Sequence, residues 1–233
     1  MSILDSFTKK KPLTTAINQT AKARNAEGKT ADALYKAAYQ DYAEVLVGDS
    51  LRSDALYHWG FALLHQAKTK TDIDAFKLFE EAIARFSFCL LLNPAYLGAA
   101  INGGVAYMDL ARLIAVESDD ELYENARVYF EKANAIQAGS ASYNLACIYG
   151  LRNEEEACLQ ALETAKQKGN LPDAEEIMND LDLEQVKNQP WFVAFMEKLT
   201  EKAEAVTTEN VDVVTEKTTE PEPESEPAPK STE

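Results

Sequence analysis

The feature that most constrains the fold of this chain is an internal repeat with a period of 44 residues. Segments that begin at Leu34, Leu78 and Leu122 align with one another without gaps. The shared columns are Tyr35, Phe79 and Tyr123; Ala38, Ala82 and Ala126; Tyr42, Phe86 and Phe130; and Val45, Cys89 and Ala133. Spacings of three and four residues place these side chains on one face of a helix. Each segment is therefore predicted to be an amphipathic helix that buries alternating large and small residues.

A second set of helical patterns alternates with the first set. These patterns begin at Ala55, Ala99 and Ser140. Strand patterns are nearly absent before residue 207. The predicted fold is therefore all-α, a stack of two-helix units in which each unit buries its apolar face against its neighbours.

The two alternating helices resemble the tetratricopeptide repeat. The first-helix signature of that family is matched by Trp59, Gly60 and Leu63; by Gly103, Gly104 and Tyr107; and by Leu145, Ala146 and Tyr149. The second-helix signature is matched by Ala82, Phe86, Cys89 and Pro94, and by Ala126, Phe130 and Ala133. The period here exceeds the roughly 34 residues of the family, and Ala138 stands where a proline is usual. The resemblance implies a right-handed α-solenoid of helix hairpins.

Gly60 and Gly104 occupy the middle of predicted helices, where glycine is less favourable than alanine by about 1 kcal/mol. The repeat places both residues where two antiparallel helices cross. We expect them to allow a close helix contact that recovers the lost helix propensity. Gly103 is predicted to reduce the side-chain bulk at the same helix contact.

Four regions are predicted along the chain: residues 1–29 as an N-terminal helical cap or a degenerate first unit, 30–169 as repeats, 170–206 as capping helices and 207–233 as a tail. Within the first region only Ala16 and Ile17 resemble the repeat. The third region resembles the end-of-group module of bacterial arrays, with Asp182 and Leu183 followed by a proline and aromatic residues. This resemblance implies that Trp191 and Phe195 cover the apolar face of the last repeat.

The tail is rich in glutamate, proline and threonine and contains no aromatic residue. Such a segment cannot bury enough apolar surface to offset the entropy of ordering, so it is predicted to be disordered. Its expected role is to keep the protein soluble, and docking to a partner is the alternative.

The formal net charge of −16 disfavours binding to nucleic acid or anionic lipid, because both need clustered lysine and arginine. No apolar run approaches the roughly 20 residues that cross a bilayer, and the first residues lack the order of a signal peptide. We therefore expect a cytoplasmic protein without membrane insertion. Its three cysteines, Cys89, Cys147 and Cys158, are expected to be reduced and buried.

The family resemblance implies a concave groove, lined by the first helices, that binds a peptide. The residues predicted to line it are Tyr57, His58, Phe61, His65, Asn102, Val105, Asp109, Tyr143 and Asn144. Each asparagine either hydrogen-bonds a bound peptide, as the family implies, or satisfies the backbone of a neighbouring helix. Because lysine and arginine are absent from this set, the expected ligand is an extended or helical peptide with apolar anchors, with basic residues drawn by the acidic field of the protein.

Catalysis and metal binding are not expected. His58 and His65 are seven residues apart, whereas metal-binding pairs on a helix usually stand three or four residues apart. The sequence contains no phosphate-binding loop or nucleotide fingerprint, so no cofactor is expected. The predicted function is non-catalytic protein interaction, as an adaptor, assembly factor or chaperone-like factor. The alternative is a scaffold that self-associates into a homo-oligomer.

Overall fold

The computed structural model describes residues 3–47 and 51–200, with side chains from residue 11 onward. The predicted tail at 207–233 and residues 201–206 of the predicted cap lie outside the described residues. Within those ranges the chain is helical and contains no strand, which confirms the all-α prediction. It divides into two compact units, residues 1–187 and residues 188–233.

The first unit consists of nine α-helices and a 3₁₀ turn in its described part. The helices are α1 (Ile3–Arg24), α2 (Gly28–Leu46), α3 (Arg52–Ala67), α4 (Asp72–Leu92), α5 (Leu97–Leu113), α6 (Glu121–Ile136), α7 (Ser142–Leu151), α8 (Glu155–Lys168) and α9 (Ala174–Asn179), and the turn is Leu181–Leu183. Consecutive helices pack as hairpins, beginning with α1 and α2. Each hairpin packs on the next through α2 and α3, α4 and α5, and α6 and α7, as in an α-solenoid.

The core of this unit is formed by the columns of the sequence repeat. The four shared columns, which begin with Tyr35, Ala38, Tyr42 and Val45, contain twelve residues. All twelve are buried, with at most 5% of their surface exposed. Large side chains such as Tyr42 and Phe130 alternate with alanines such as Ala38 and Ala126. The alternation lets neighbouring helices interdigitate at the density of a protein interior.

The glycines lie at the helix crossings, as predicted. A Cβ atom at Gly60 would stand 2.9 Å from Phe86 Cε1, so alanine there would crowd the facing helix of the same hairpin. Gly103 has a contact of its own, because the ring of Tyr129 lies directly over it. Gly103 and Gly104 therefore accommodate two successive aromatic rings of α6.

Helix ends follow from local chemistry. Gly169 ends α8 in the left-handed conformation, with φ of 71°, which glycine adopts without steric cost. At the start of α6 the Asp120 carboxylate accepts a hydrogen bond from the backbone N–H of Leu122 at 2.8 Å. The Asp180 carboxylate caps the 3₁₀ turn in the same way, accepting from the N–H of Asp182 at 3.0 Å.

The described part of the second unit contains one helix at 190–200. Phe192, Phe195 and Met196 are buried, and the ring of Trp191 meets that of Phe192 edge to face at 5.6 Å. The capping role inferred for Trp191 and Phe195 stays a prediction. Across the described ranges, no helix combines the length and apolar character required to span a membrane.

Candidate functional site

A half-enclosed pocket of about 200 Å³ lies between α1 and α3 in the first unit. Its lining consists of Ile17, Thr20, Ala21 and Arg24 from α1, Tyr42 from α2, and Tyr57, His58 and Phe61 from α3. The α1 residues recur at intervals of three and four, so they share one helix face. Three residues of the predicted groove therefore line one pocket.

The polar atoms on the floor of the pocket are already satisfied. The buried hydroxyl of Thr20 donates to the carbonyl of Ala16 at 3.0 Å. The same oxygen lies 3.0 Å from the hydroxyl of Tyr42. Because these groups satisfy one another, the floor offers carbon surface to a ligand, and an apolar side chain suits it best.

The aromatic wall on α3 is held in place by its neighbours. The Tyr57 ring lies 4.9 Å from the ring of His58 and 4.9 Å from that of Tyr96. Tyr96 is fixed in turn, because its hydroxyl donates to Asp54 Oδ1 at 3.1 Å. Gly98 leaves the space that the Tyr57 ring occupies, since a Cβ there would stand 2.8 Å from the ring. The wall is therefore preorganised, which reduces the entropy cost of binding.

Both histidines of the predicted groove favour the neutral form. Burial lowers the pKa of His58, although the Asp54 carboxylate opposes the shift. Burial also lowers the pKa of His65 to about 4, helped by the charges of Arg24 and Lys68. The His65 ring packs against Phe61 at 4.3 Å. At neutral pH both rings therefore act as uncharged aromatic surface.

The positive charge at the rim of the pocket belongs to Arg24. Its guanidinium carbon lies 5.3 Å from the centre of the Phe61 ring, within the range of a cation–π contact. The predicted groove residues include no lysine or arginine, and the structure places Arg24 of α1 beside three of them. Arg24 is not among the predicted residues because only Ala16 and Ile17 of the first helix resemble the repeat.

The groove residues of α5 and α7 have partners within the protein. Asp109 accepts a hydrogen bond from Arg112 at 2.8 Å and pairs with Lys68 at 3.0 Å. Arg112 also pairs with Asp182 in the 3₁₀ turn. The hydroxyl of Tyr143 donates to Asp180 at 2.8 Å. The turn thus binds the side of α7 that was predicted to face a ligand, and the structure does not bring Tyr143 to the pocket of Tyr57.

The remaining predicted residues are Asn102 and Val105 on α5 and Asn144 on α7. The Asn102 side chain donates to the carbonyl of Gly98, one turn earlier in α5, at 3.0 Å. This bond lies within α5 and does not reach a neighbouring helix, so both alternatives for Asn102 stay predictions. Val105 and Asn144 are half-buried, and their contact with a ligand stays a prediction.

Potential metal ligands come together beside this turn. Cys147, Asp180 and Asp182 each place one ligand atom within 4.8 Å of the others. Burial raises the pKa of the Cys147 thiol, which contacts Asp180 Oδ2 at 3.6 Å. Because Arg112 and Tyr143 already bond the two carboxylates, the arrangement favours a structural role.

The contribution of α1 to the pocket was not predicted from the sequence. Ile17, Ala21 and Arg24 follow the spacing of one helix face. That spacing was the available signal, but it does not reveal which helix the face meets. Only the packing of α1 beside α3 makes these residues part of a site.

An array of helix hairpins with an apolar pocket between two first helices is the architecture of a protein-binding module. Comparison with protein families agrees: residues 31–154 match the sequence model of the plant-specific mitochondrial import receptor subunit TOM20. The match covers more than half of the chain, and the chain belongs to this family, which has a tetratricopeptide-like helical fold. The match ends before residues 170–206 and does not extend to the predicted end-of-group cap.

A curated relative is the mitochondrial import receptor subunit TOM20-1 of Arabidopsis thaliana. It is 24% identical over 119 residues, which cover 42% of this chain and 63% of the relative. The chain therefore spans less than two thirds of the length of that relative. The prediction of a free cytoplasmic protein is wrong, because membership in a family of mitochondrial import receptor subunits points to mitochondria.

Proposed function

We propose that this protein is a non-catalytic receptor subunit for protein import at mitochondria. In this proposal the pocket between α1 and α3 holds an apolar side chain of the protein to be imported. Family membership supports the receptor role. The observation that carries the choice of site is the preformed apolar pocket lined by Tyr57, His58 and Phe61.

The chemistry of the ligand follows from that of targeting segments. Mitochondrial transit peptides are amphipathic, rich in arginine and serine, and poor in acidic residues. Their apolar face suits the floor of the pocket, where the polar groups already have hydrogen-bond partners and carbon surface is left for a ligand. Their basic face is attracted by a protein with a net charge of −16. Hydrophobic contact thus supplies affinity, while the charge speeds encounter.

The rest of the predicted groove is proposed to extend this contact. Asn102, Val105 and Asn144 are half-buried on the first helices that follow α3. They are proposed to contact the ligand beyond its anchor residue. Asp109 and Tyr143 are engaged by internal partners, so we assign them to the support of the groove.

Binding of a labelled peptide tests the proposal. The probe is a fluorescent N-terminal targeting segment of an imported protein, titrated with the full chain and followed by anisotropy. We expect Phe61→Ala to weaken binding by about tenfold or more, as for a buried aromatic anchor. The matched control is Phe88→Ala, since Phe88 is 55% exposed on α4 and does not line the pocket.

The control variant should bind as tightly as the native protein, and circular dichroism should show both variants folded. The proposal fails if the native chain does not bind the segment. It also fails if the two phenylalanine variants bind equally well.

Self-association is a second candidate, favoured by one observation. Phe88, Leu91 and Leu92 expose 55%, 75% and 52% of their surface near the end of α4. A contiguous apolar patch of this kind suits a contact between copies of the chain. Light scattering separates the candidates: a scaffold gives an oligomer that Leu91→Glu dissociates, whereas the receptor gives a monomer.

A further inference from the structure

Arg24 differs from the other cations along the groove. Lys68 and Arg112 both pair with Asp109. Arg24 is exposed at the rim of the pocket and, within the described residues, forms no ion pair or hydrogen bond with the protein. The chain has 39 acidic and 23 basic residues, yet none of the acidic side chains that the structure describes pairs with this arginine beside the apolar pocket.

The contact of Arg24 with Phe61 orients the guanidinium group. The carbon Cζ lies 5.3 Å from the ring centre, so the aromatic face restrains the position of the cation. A guanidinium group offers five N–H donors in a planar fork and accepts none. Whatever Arg24 binds must therefore supply oxygen acceptors close to the side chain that fills the pocket.

The proposed ligand narrows the choice of acceptors. A targeting segment is poor in aspartate and glutamate, so carboxylate side chains are scarce. The last turn of any helix, by contrast, has four backbone carbonyls without partners and carries a partial negative charge. These carbonyls are the acceptors that an amphipathic basic helix always has.

We infer that Arg24 determines the direction in which the receptor binds its ligand, by donating to the free carbonyls at the C-terminal end of the bound helix. The inference rests on the proposed function and specifies how the same pocket orients its ligand. An apolar residue in the last turn of the ligand fills the pocket, and the carbonyls beside it accept from Arg24. The same charge repels lysine and arginine placed next to the anchor.

The direction of the effect makes the inference testable. Removing a positive charge from the receptor should strengthen the attraction of a basic peptide through the overall field. If Arg24 binds the ligand, Arg24→Gln should instead weaken binding, by about five- to tenfold for a charge-assisted hydrogen bond. Lys22→Gln is the matched control, because Lys22 is exposed on the same helix, carries the same charge and does not line the pocket.

The experiment uses the full chain and the fluorescent targeting segment at low salt. We expect unchanged or tighter binding for Lys22→Gln and weaker binding for Arg24→Gln. Equal or tighter binding for Arg24→Gln, with Phe61→Ala still impaired, overturns the inference and leaves the proposed function intact. Failure of the segment to bind the native chain overturns both.

A second readout addresses the direction itself. A nitroxide label is attached to either end of the peptide, and broadening of backbone signals is recorded by NMR on the labelled receptor. The C-terminal label should broaden the signals of Ala21 and Arg24 more strongly than the N-terminal label. Equal broadening by both labels, or stronger broadening by the N-terminal label, contradicts the inference.

Discussion

The ring of Phe130 lies against the backbone of Gly104 so closely that a Cβ atom at Gly104 would stand 2.5 Å from Phe130 Cε1. Gly60 and Phe86 repeat this relationship one hairpin earlier, at 2.9 Å. The spacing between α5 and α6 therefore depends on the missing side chain. The first helices, which form the wall of the candidate groove, take their positions from contacts of this kind.

Gly104→Ala should destabilise the protein even though alanine favours helix. Overpacking in a filled core costs about 1–3 kcal/mol, and the gain in helix propensity offsets about 1 kcal/mol of that. Urea denaturation should show a net loss for Gly104→Ala and a smaller loss for Gly60→Ala. In a Phe130→Leu background the glycine substitution should cost less, because the ring is gone. Equal or greater stability of the single variant Gly104→Ala would contradict the packing described.

Arg112 and Asp182 connect the 3₁₀ turn to α5. The Asp182 side chain is 10% exposed and that of Arg112 is 42% exposed, so Arg112→Met leaves a buried carboxylate without its cation. We expect a loss of about 1–3 kcal/mol in the free energy of unfolding. The double variant Arg112→Met, Asp182→Asn should recover much of this loss, as measured by chemical denaturation. Additive losses in the double variant would show that the pair does not interact.

His65 gives the stability a dependence on pH. Its pKa is about 4 in the folded protein and about 6.5 when unfolded. Between these values the unfolded chain binds more protons than the folded one, so stability falls as the pH is lowered from 6.5 towards 4. The slope from this group is at most about 1.4 kcal/mol per pH unit.

Denaturation at pH 7.5 and at pH 5 measures this effect, with His65→Gln as the control that does not titrate. The native protein should lose more stability than the variant over this interval. Parallel losses would show that the environment of His65 does not disfavour its charged form.

The repeat made the fold predictable because one physical requirement recurs three times in the sequence. Each second helix must bury large and small residues in alternation. Columns such as Tyr42, Phe86 and Phe130 show this requirement in the sequence. The glycine contacts followed from the same register. Gly103 needed the structure, since the alignment pairs it with Trp59 and gives no hint that Tyr129 lies over it.

The site was less predictable because it depends on contacts that the repeat does not encode. Tyr57, His58 and Phe61 were found from their place on a first helix. Arg24 was missed because α1 departs from the repeat. The bonds of Tyr143 to Asp180 and of Arg112 to Asp182 were not predicted either. Both acceptors belong to a turn that is distant in sequence from the helices they contact.

Site-specific photo-crosslinking tests most directly the claim that the pocket between α1 and α3 receives an imported protein. A photoreactive phenylalanine is placed at Ala21, which lines the pocket, or at Ala135, which is exposed on the second helix α6. The full chain is then illuminated with an imported precursor protein. We expect a crosslink from position 21 that an excess of free targeting segment suppresses, and none from position 135. Crosslinking from position 135 without any from position 21, or equal crosslinking from both, would contradict the account.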